Sequence, residues 1–246
     1  MTREKLHATY QIYSYQRILD HEALPINWDY LKQELRWYVN ADYHDGSIAE
    51  RASQWDKVRN PDGWWNSNYG YWLWGPPQRL RWVIDELNRD PASRRAVCHI
   101  NTPETLGPDQ KDVPCTMYMN FHVRYGRLYP IVHMRSQDAV WGLRNDLPFF
   151  WLVADIVSAA TGWKLGYMNY SVDSLHIYER HWEKVHKVAQ NPGDWLDSKL
   201  DVSALVDKVL NDKLKIVRQE PRFYNFGQRD KPVVHLPPAQ GGLFTD

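Results

Sequence analysis

The sequence has little cysteine, no net charge and no long apolar run, and each of these absences excludes a class of protein. Two cysteines, Cys98 and Cys115, are too few for a disulfide framework or a zinc ribbon. The 30 basic residues balance the 30 acidic ones, so no overall field favours a polymeric nucleic acid or a membrane surface. No apolar run approaches the roughly 20 residues that a bilayer-spanning helix needs, and no apolar signal segment opens the chain. We therefore expect a protein of the reducing cytoplasm.

The hydrophobic periodicity predicts strands in the middle of the chain and helices at both ends, which favours one α/β (α+β) domain over residues 1–246. The predicted helices cover residues 28–38, 78–87, 147–160 and the amphipathic segment 200–214. The predicted strands cover residues 96–100, 115–123 and 128–134. Residues 40–70 are expected to form long ordered loops. Residues 1–25 and 218–246 show no clear period and are expected to be peripheral extensions.

Cys115 follows a proline at the start of a strand that alternates strictly in polarity. Met117, Met119, Phe121 and Val123 would share its buried face. A single cysteine in such a place is more often an inert buried thiol than a nucleophile. Cys98, in a short apolar strand, is interpreted in that way. Cys115 differs because of the motifs around it.

Several short motifs occur in a fixed order around Cys115. They are Ser93-Arg94-Arg95, Val113-Pro114-Cys115, Arg135-Ser136-Gln137-Asp138, Gly142-Leu143-Arg144-Asn145-Asp146 and His176-Ile177-Tyr178. Upstream stand Glu34-Leu35-Arg36-Trp37-Tyr38, Trp55 and Tyr69-Gly70. Together they resemble the thymidylate synthase family, over about residues 28–186. The resemblance implies a mixed central sheet with flanking helices, a homodimer, a nucleoside monophosphate as substrate and methylenetetrahydrofolate as co-substrate.

The resemblance also implies a role for each motif residue. Cys115 is the expected nucleophile that adds to C6 of a pyrimidine, and since the thiolate is the reactive form, we expect neighbouring arginines to lower the pKa of Cys115. Glu34 would organise water and proton transfers at the base, with Tyr69 as a further catalytic residue. The expected substrate ligands are Arg135, Ser136, Asp138, Asn145, Asp146, His176 and Tyr178, joined by Arg94 and Arg95 reaching the phosphate in the neighbouring subunit. Trp55 and Asp138 are the expected contacts of the folate.

Asp146 stands where thymidylate synthases carry the asparagine that reads the base. A carboxylate only accepts hydrogen bonds, so it would repel O4 of uracil, whereas cytosine offers an amino donor at C4. One proton shared with N3 would complete a bidentate pair with cytosine. Such an Asp resembles the deoxycytidylate hydroxymethylase branch of the family. An alignment slipped by one residue, with Asn145 as the reader, stays open.

The resemblance implies that dCMP is converted to 5-hydroxymethyl-dCMP, with water capturing the methylene intermediate. Methylation of dCMP or of dUMP, and hydroxymethylation of CMP, remain alternatives. The family's apolar C-terminal tail closes over the folate, and Leu243 and Phe244 could serve that purpose here.

Three other classes are less consistent with the sequence. A metal site is not expected, because His176, His181 and His186 would rotate by about 140° at each step along a helix. A binding module that had lost catalysis would be expected to lack the nucleophile or the Arg-Ser pair, and both are present. An enzyme of polymeric nucleic acid would need to neutralise several phosphates, which a balanced charge does not favour.

Overall fold

The fold is built on a mixed sheet whose strands come from distant parts of the chain. The computed structural model describes residues 1–222. Within them seven strands run in chain order: β1 (Thr2–Ile12), β2 (Val97–His99), β3 (Thr116–Arg124), β4 (Arg127–Met134), β5 (Gln137–Asp138), β6 (Lys164–Leu165) and β7 (Met168–Tyr178). Their spatial order is β1-β7-β4-β3-β2, with β5 beside β7 and β6 beside β4. Strand β7 runs antiparallel to β1 and parallel to β4, so the sheet is mixed as expected.

Helices surround this sheet. Among residues 1–222 they are α1 (Trp28–Asn40), α2 (Gln54–Val58), α3 (Tyr69–Trp74), α4 (Arg79–Arg89), α5 (Gly142–Thr161), α6 (Trp182–Gln190) and α7 (Ser203–Lys208), which continues as a π-helical turn over Val209–Leu214. Helix α5 is apolar on nearly all sides and lies in the core. It ends at Gly162, whose φ of 75° is the left-handed conformation that glycine commonly adopts after a helix. None of the helices within this part of the chain is long and apolar enough to cross a membrane.

Most of the predicted elements are confirmed within a few residues of their expected ends. One detail of β3 is wrong: Met117 is half-buried, and Thr116 takes the buried place instead. The cause is a register shift between Thr116 and Tyr118 opposite β4, which moves the alternation by one residue. The loop expected over residues 40–70 contains the short helix α2.

Strands β1 and β7 are elements that the sequence did not reveal. Nearly every residue of β1 is exposed, because it is an edge strand with little core contact on either face. Strand β7 has buried residues only in its first half, and its second half is half-buried throughout. Neither strand therefore shows a period of two over its whole length.

A close approach between α1 and α3 holds the region that follows Tyr69 in place. A Cβ added to Gly70 would lie 1.7 Å from the carbonyl oxygen of Tyr38, so only glycine allows the two helices to touch. The rings of Tyr38 and Tyr69 then stack with centroids 5.5 Å apart. Gly70 therefore allows α1 and α3 to pack closely, and the neighbouring Tyr69 hydrogen-bonds the side chain of Thr116 at the start of β3.

Candidate active site

A cavity of about 730 Å³ opens where α1, α5 and the β5–β7 edge of the sheet converge. Its size is typical of pockets that hold small organic ligands. Most of the residues expected from the motifs line it: Glu34, Trp55, Tyr69, Cys115, Ser136, Asp138, Asn145, Asp146, His176 and Tyr178. Residues more than 100 positions apart in the chain are therefore brought to one site.

Cys115 lies half-buried at the wall of this cavity, immediately before β3. Burial raises the pKa of its thiol, and the negative charges of Asp146 and Asp112 raise it further. Arg135 lowers that pKa, but the net result is still a pKa above the ordinary value of a thiol. The expectation that arginines bring the pKa of Cys115 below its ordinary value is therefore wrong for this structure. The reason is that desolvation of the thiolate outweighs the attraction of one guanidinium.

Arg135 lies beside Cys115 without lining the cavity. It is exposed, and its guanidinium donates to the carbonyl oxygen of Pro114 at 3.0 Å and to that of Val113 at 2.6 Å. The backbone nitrogen of Arg135 also donates to the carbonyl oxygen of Cys115 at 2.9 Å. These bonds tie the segment before Cys115 to the end of β4, so Arg135 fixes the position of the thiol as well as acting on its charge.

Glu34 is a buried carboxyl on α1 that faces the cavity. Burial raises its pKa to about 8, the charge of Asp146 adds to the increase, and a hydrogen bond from Tyr30 opposes it. The hydroxyl of Tyr30 donates to Oε1 at 2.7 Å and accepts from Nε1 of Trp55 at 3.0 Å. The carboxyl therefore keeps its proton at neutral pH and is poised to exchange it with a ligand or water.

Asp146 lies in the first two turns of α5, half-buried in the wall of the cavity. Burial raises its pKa to about 6, a hydrogen bond from Gln137 lowers it, and Asp138 raises it. The bond joins Nε2 of Gln137 to Oδ2 of Asp146 at 2.9 Å. Near neutral pH this carboxyl can therefore be present with or without a proton.

The opposite wall is formed by the paired edge of β5 and β7, where Asp138 lies across from His176. Oδ1 of Asp138 accepts from the backbone nitrogen of Val140 at 2.9 Å, which orients the carboxylate. The rings of His176 and Tyr178 meet edge to face with centroids 5.1 Å apart. Polar groups of this kind, arranged at the rim of a cavity, suit the hydroxyls of a sugar.

Arg94 and Arg95 lie away from this cavity. Both are exposed, and Nε of Arg95 donates to Oε1 of Glu86 at 3.1 Å. Within one chain they cannot act as ligands in the cavity, and only a second copy could bring them to a site.

Among the residues of the site that the sequence did not identify, three make side-chain contacts with residues that it did identify. Tyr30 precedes Glu34 by one helical turn, a spacing that could have indicated their contact. Arg180 follows Tyr178 by two positions and lines the cavity as an exposed cation, with its guanidinium 4.3 Å from the centre of the Tyr178 ring. Gln137 lies inside a quoted motif, but no local pattern shows that its amide reaches Asp146.

Among residues 1–222 there is no group of three or more His, Cys, Asp or Glu side chains that could hold a metal ion. The histidines that are spaced by five lie on three different elements: His176 on β7, His181 in a 3-10 turn and His186 on α6. Leu243 and Phe244, considered above as closing residues, lie outside the described part of the chain.

Comparisons with known proteins agree with this geometry. The family model described as thymidylate synthase matches residues 18–217. The deoxycytidylate 5-hydroxymethyltransferases of Enterobacteria phages T4 and T2 are each 30% identical over 173 residues, which is 64% of this chain and 70% of the relative. The thymidylate synthase of Fusobacterium nucleatum is 29% identical over 153 residues, which is 61% of this chain and 55% of the relative.

A solved structure shows the same fold. The thermostable thymidylate synthase A of Bacillus subtilis superposes with a TM-score of 0.64 at 19% identity, covering 77% of this chain and 71% of that one. The chain therefore belongs to the thymidylate synthase family and is a one-carbon transferase that acts on a nucleoside monophosphate.

Proposed function

We propose that this enzyme converts dCMP to 5-hydroxymethyl-dCMP, with methylenetetrahydrofolate as the source of the one-carbon unit. The observation that carries the proposal is the position of Asp146 in one cavity with Cys115 and Glu34. The name of the phage relatives, deoxycytidylate 5-hydroxymethyltransferase, supports the same choice of base.

Base selection follows from the hydrogen bonds that a carboxyl can make. Cytosine presents an amino donor at C4 and an acceptor at N3, so a carboxyl with one shared proton meets both. Burial raises the pKa of Asp146 to about 6, which makes that proton available near neutral pH. Uracil presents the reverse pattern, and a mispaired buried polar group can cost a factor of about 10⁴ in specificity.

Cys115 is the group that we assign to attack on C6 of the base. Its thiol must lose a proton first, and Arg135 is the cation whose charge favours that loss. Ser136 and Arg135 directly follow β4, and we assign them to the phosphate and the thiolate. We assign His176 and Tyr178 to the ribose hydroxyls and Asn145 to the base edge beside Asp146.

Glu34 is the group that we assign to the water that reacts at the new carbon. Its Oε2 is buried and has no hydrogen-bond partner among the described residues, although the residue lines the cavity. A buried polar atom of this kind commonly holds an ordered water. We propose that the ionised form of Glu34, a minority near neutral pH because its pKa is raised to about 8, orients the water that becomes the hydroxyl group and takes up its proton.

The cavity also fits a folate beside the nucleotide. Trp55 offers a flat indole wall whose nitrogen is fixed by Tyr30, and Asp138 supplies an oriented carboxylate across the cavity. These two residues would hold the pterin ring, and when bound the folate supplies a methylene group at the oxidation level of formaldehyde. We further propose a homodimer in which Arg94 and Arg95 reach the neighbouring site, and the cytoplasm as the location, as for other family members.

The test is release of tritium from C5-labelled dCMP, dUMP and CMP, each with methylenetetrahydrofolate. We expect release from dCMP in preference to the others and loss of release in Cys115→Ala. Cys98→Ala is the matched control, because Cys98 is a buried thiol whose Sγ faces the carbonyl oxygen of Met119 at 3.5 Å in the core. Preferential release from dUMP would overturn the base assignment.

The final step needs a separate measurement. Hydroxymethylation leaves the folate as tetrahydrofolate, whereas methylation oxidises it to dihydrofolate. We expect a product heavier than dCMP by one CH₂O unit and no absorbance increase from dihydrofolate. Dihydrofolate that accumulates in step with product would show methyl transfer instead.

A further inference from the structure

The amide of Gln137 lies between Asp146 and Tyr170 in a buried chain of hydrogen bonds. Gln137 is 3% exposed and Tyr170 is 1% exposed. Nε2 of Gln137 donates to Oδ2 of Asp146 at 2.9 Å, and Oε1 accepts from the hydroxyl of Tyr170 at 2.6 Å. The amide nitrogen therefore donates to the carboxyl that we assign to base reading, and the amide oxygen accepts from the phenol.

Tyr170 fixes which end of the amide faces Asp146. Burial raises the pKa of this phenol well above its ordinary value, so it keeps its proton to donate. Gln137 is its hydrogen-bond partner, and no second acceptor for the hydroxyl occurs among residues 1–222. Turning the amide over would leave the phenol proton without an acceptor in the core and would set two oxygens against each other at Asp146.

Gly142 makes room for this arrangement. It is the first residue of α5, and a Cβ added there would lie 2.5 Å from Nε2 of Gln137. Any larger residue would displace the amide from Oδ2 of Asp146. The amide of Gln137 is thus positioned at its oxygen by the hydrogen bond from Tyr170 and at its nitrogen by the space that Gly142 leaves.

The oxygen of Asp146 that carries a proton decides which base the carboxyl can read. Cytosine needs a bare oxygen opposite its C4 amino group and a proton opposite N3. Uracil needs a proton opposite O4 and a bare oxygen opposite N3–H. A protonated carboxyl that could place its proton on either oxygen would therefore accept both bases.

We propose that Gln137 is a positioning residue that sets the base preference of Asp146 by keeping Oδ2 without a proton. Oδ2 then accepts from the C4 amino group of cytosine, and Oδ1 carries the proton shared with N3. The inference rests on the proposed function, because it assumes that the cavity reads a pyrimidine through Asp146.

Protonation of Asp146 matters because burial raises its pKa to about 6. A substantial fraction is then protonated in mildly acidic solution, where a misplaced proton would admit uracil. The groups that interact electrostatically with Asp146 are Asp138, Glu34, Cys115, Tyr10, Tyr30, Tyr38, Tyr69 and Tyr170. None of them donates a hydrogen bond to its oxygens in the described structure, whereas Gln137 does.

The experiment compares kcat/KM for dCMP and dUMP between about pH 5 and pH 8, a range that spans the raised pKa of Asp146, about 6. The variant is Gln137→Met, which keeps the length of the side chain and removes the amide. We expect the ratio of dCMP to dUMP activity to fall about tenfold or more on the acidic side of that range. The fall should shrink toward about pH 8, where an ionised carboxyl has no proton to misplace.

The pH profile of dCMP turnover gives a second readout that simple packing would not move. Reading cytosine requires the shared proton, so kcat/KM for dCMP decreases as pH rises through the pKa of Asp146. The bond from Gln137 lowers that pKa, so its removal raises the pKa and moves the descending limb to higher pH.

Two further variants keep the test informative if Gln137→Met folds poorly. Tyr170→Phe keeps the Gln137 amide but removes the hydrogen bond that fixes its orientation. We therefore expect a smaller loss of the preference for dCMP over dUMP. Gln33→Met is the matched control, since the Gln33 amide bonds the hydroxyl of Ser47 at 3.0 Å outside the cavity. It should leave the ratio and the pH profile unchanged.

The outcomes separate the two proposals. If the wild type prefers dCMP and both Gln137→Met and Tyr170→Phe keep its full preference at every pH, Gln137 is only a packing residue and the inference fails. If the ratio of dCMP to dUMP activity rises in the variants, Oδ2 lies opposite N3 and not opposite the C4 amino group, and the inference is also wrong. A wild type that prefers dUMP would remove the proposed function itself, before any variant is compared.

Discussion

The hydroxyl of Tyr30 donates a hydrogen bond to Oε1 of Glu34 at 2.7 Å, whereas Oε2 of the same carboxyl has no partner among the described residues. The two side chains are one turn apart on α1 and both line the cavity. Burial, together with the charge of Asp146, raises the pKa of Glu34 to about 8. A carboxyl that is fixed on one side and open on the other suits proton exchange with a bound water.

Glu34→Gln is expected to stabilise the protein at neutral pH. The folded-state pKa of Glu34 lies above its unfolded value of 4.5, so its contribution to stability is fully present below that value and is lost as pH rises toward about 8. An uncharged amide avoids this loss, which amounts to about 3 kcal/mol at pH 7. Urea unfolding at pH 7 should show the gain, and unfolding near pH 4 should show almost none.

Glu183→Gln serves as the control for that experiment. Glu183 is an exposed residue on α6 that pairs with Lys187 at 2.8 Å, and this contact lowers its pKa. Its substitution should not stabilise the protein at neutral pH. An equal gain in both variants would mean that the effect comes from net charge and not from the burial of Glu34.

Tyr30→Phe should impair catalysis without removing the carboxyl. The bond from Tyr30 lowers the pKa of Glu34, so its loss raises that pKa and moves the ascending limb of the pH profile, where Glu34 becomes ionised, to higher pH. Loss of one oriented hydrogen bond at a general acid–base should reduce kcat/KM about tenfold. Tyr43→Phe, which removes a bond to Asn66 outside the cavity, should leave both the limb and the rate in place. An unmoved limb in Tyr30→Phe would argue against Glu34 as the titrating group.

Asp146→Asn should exchange the base preference. An amide can accept from N3–H of uracil and donate to O4, which a carboxylate cannot do. We expect activity on dCMP to fall about 10²-fold or more and activity on dUMP to rise. Asn145→Asp, at the neighbouring position, tests the alignment in which Asn145 is the reader. If that variant changes the preference and Asp146→Asn does not, the slipped alignment is the correct one.

Subunit mixing tests the role proposed for Arg94. Cys115→Ala and Arg94→Ala should each be nearly inactive as purified homodimers. If each site combines Cys115 of one subunit with Arg94 of its partner, a mixed dimer holds one intact site and one doubly defective site. Random mixing should then restore about one quarter of the wild-type activity. No recovery after verified subunit exchange would mean that Arg94 acts within its own subunit or not at all.

Local patterns were sufficient where an element has one buried face or one clear end. Leu31 and Leu35 mark α1 by their spacing, and Gly162 marks the end of α5, because helix burial and a left-handed cap both leave a signature within a few residues. Strand β1 left no such signature, since an exposed edge strand is held by backbone hydrogen bonds to β7 and not by its side chains.

The order of the motifs around Cys115 indicated the family, and the residue at position 146 indicated the base, because both are properties of residue identity along the chain. The pKa values of Cys115, Glu34 and Asp146 could not be read in that way. Each depends on desolvation and on charges that come from other elements, so the thiol expected to be acidic has a raised pKa.

The sequence by itself determined which chemical groups are available: a thiol, two carboxyls and the glycines that allow close contacts. The tertiary structure alone decided that Gln137, held by Tyr170 and admitted by Gly142, would hydrogen-bond one oxygen of Asp146. The physical reason is that hydrogen bonds and desolvation act over a few ångströms in space, whereas these residues are separated by as many as 33 positions along the chain.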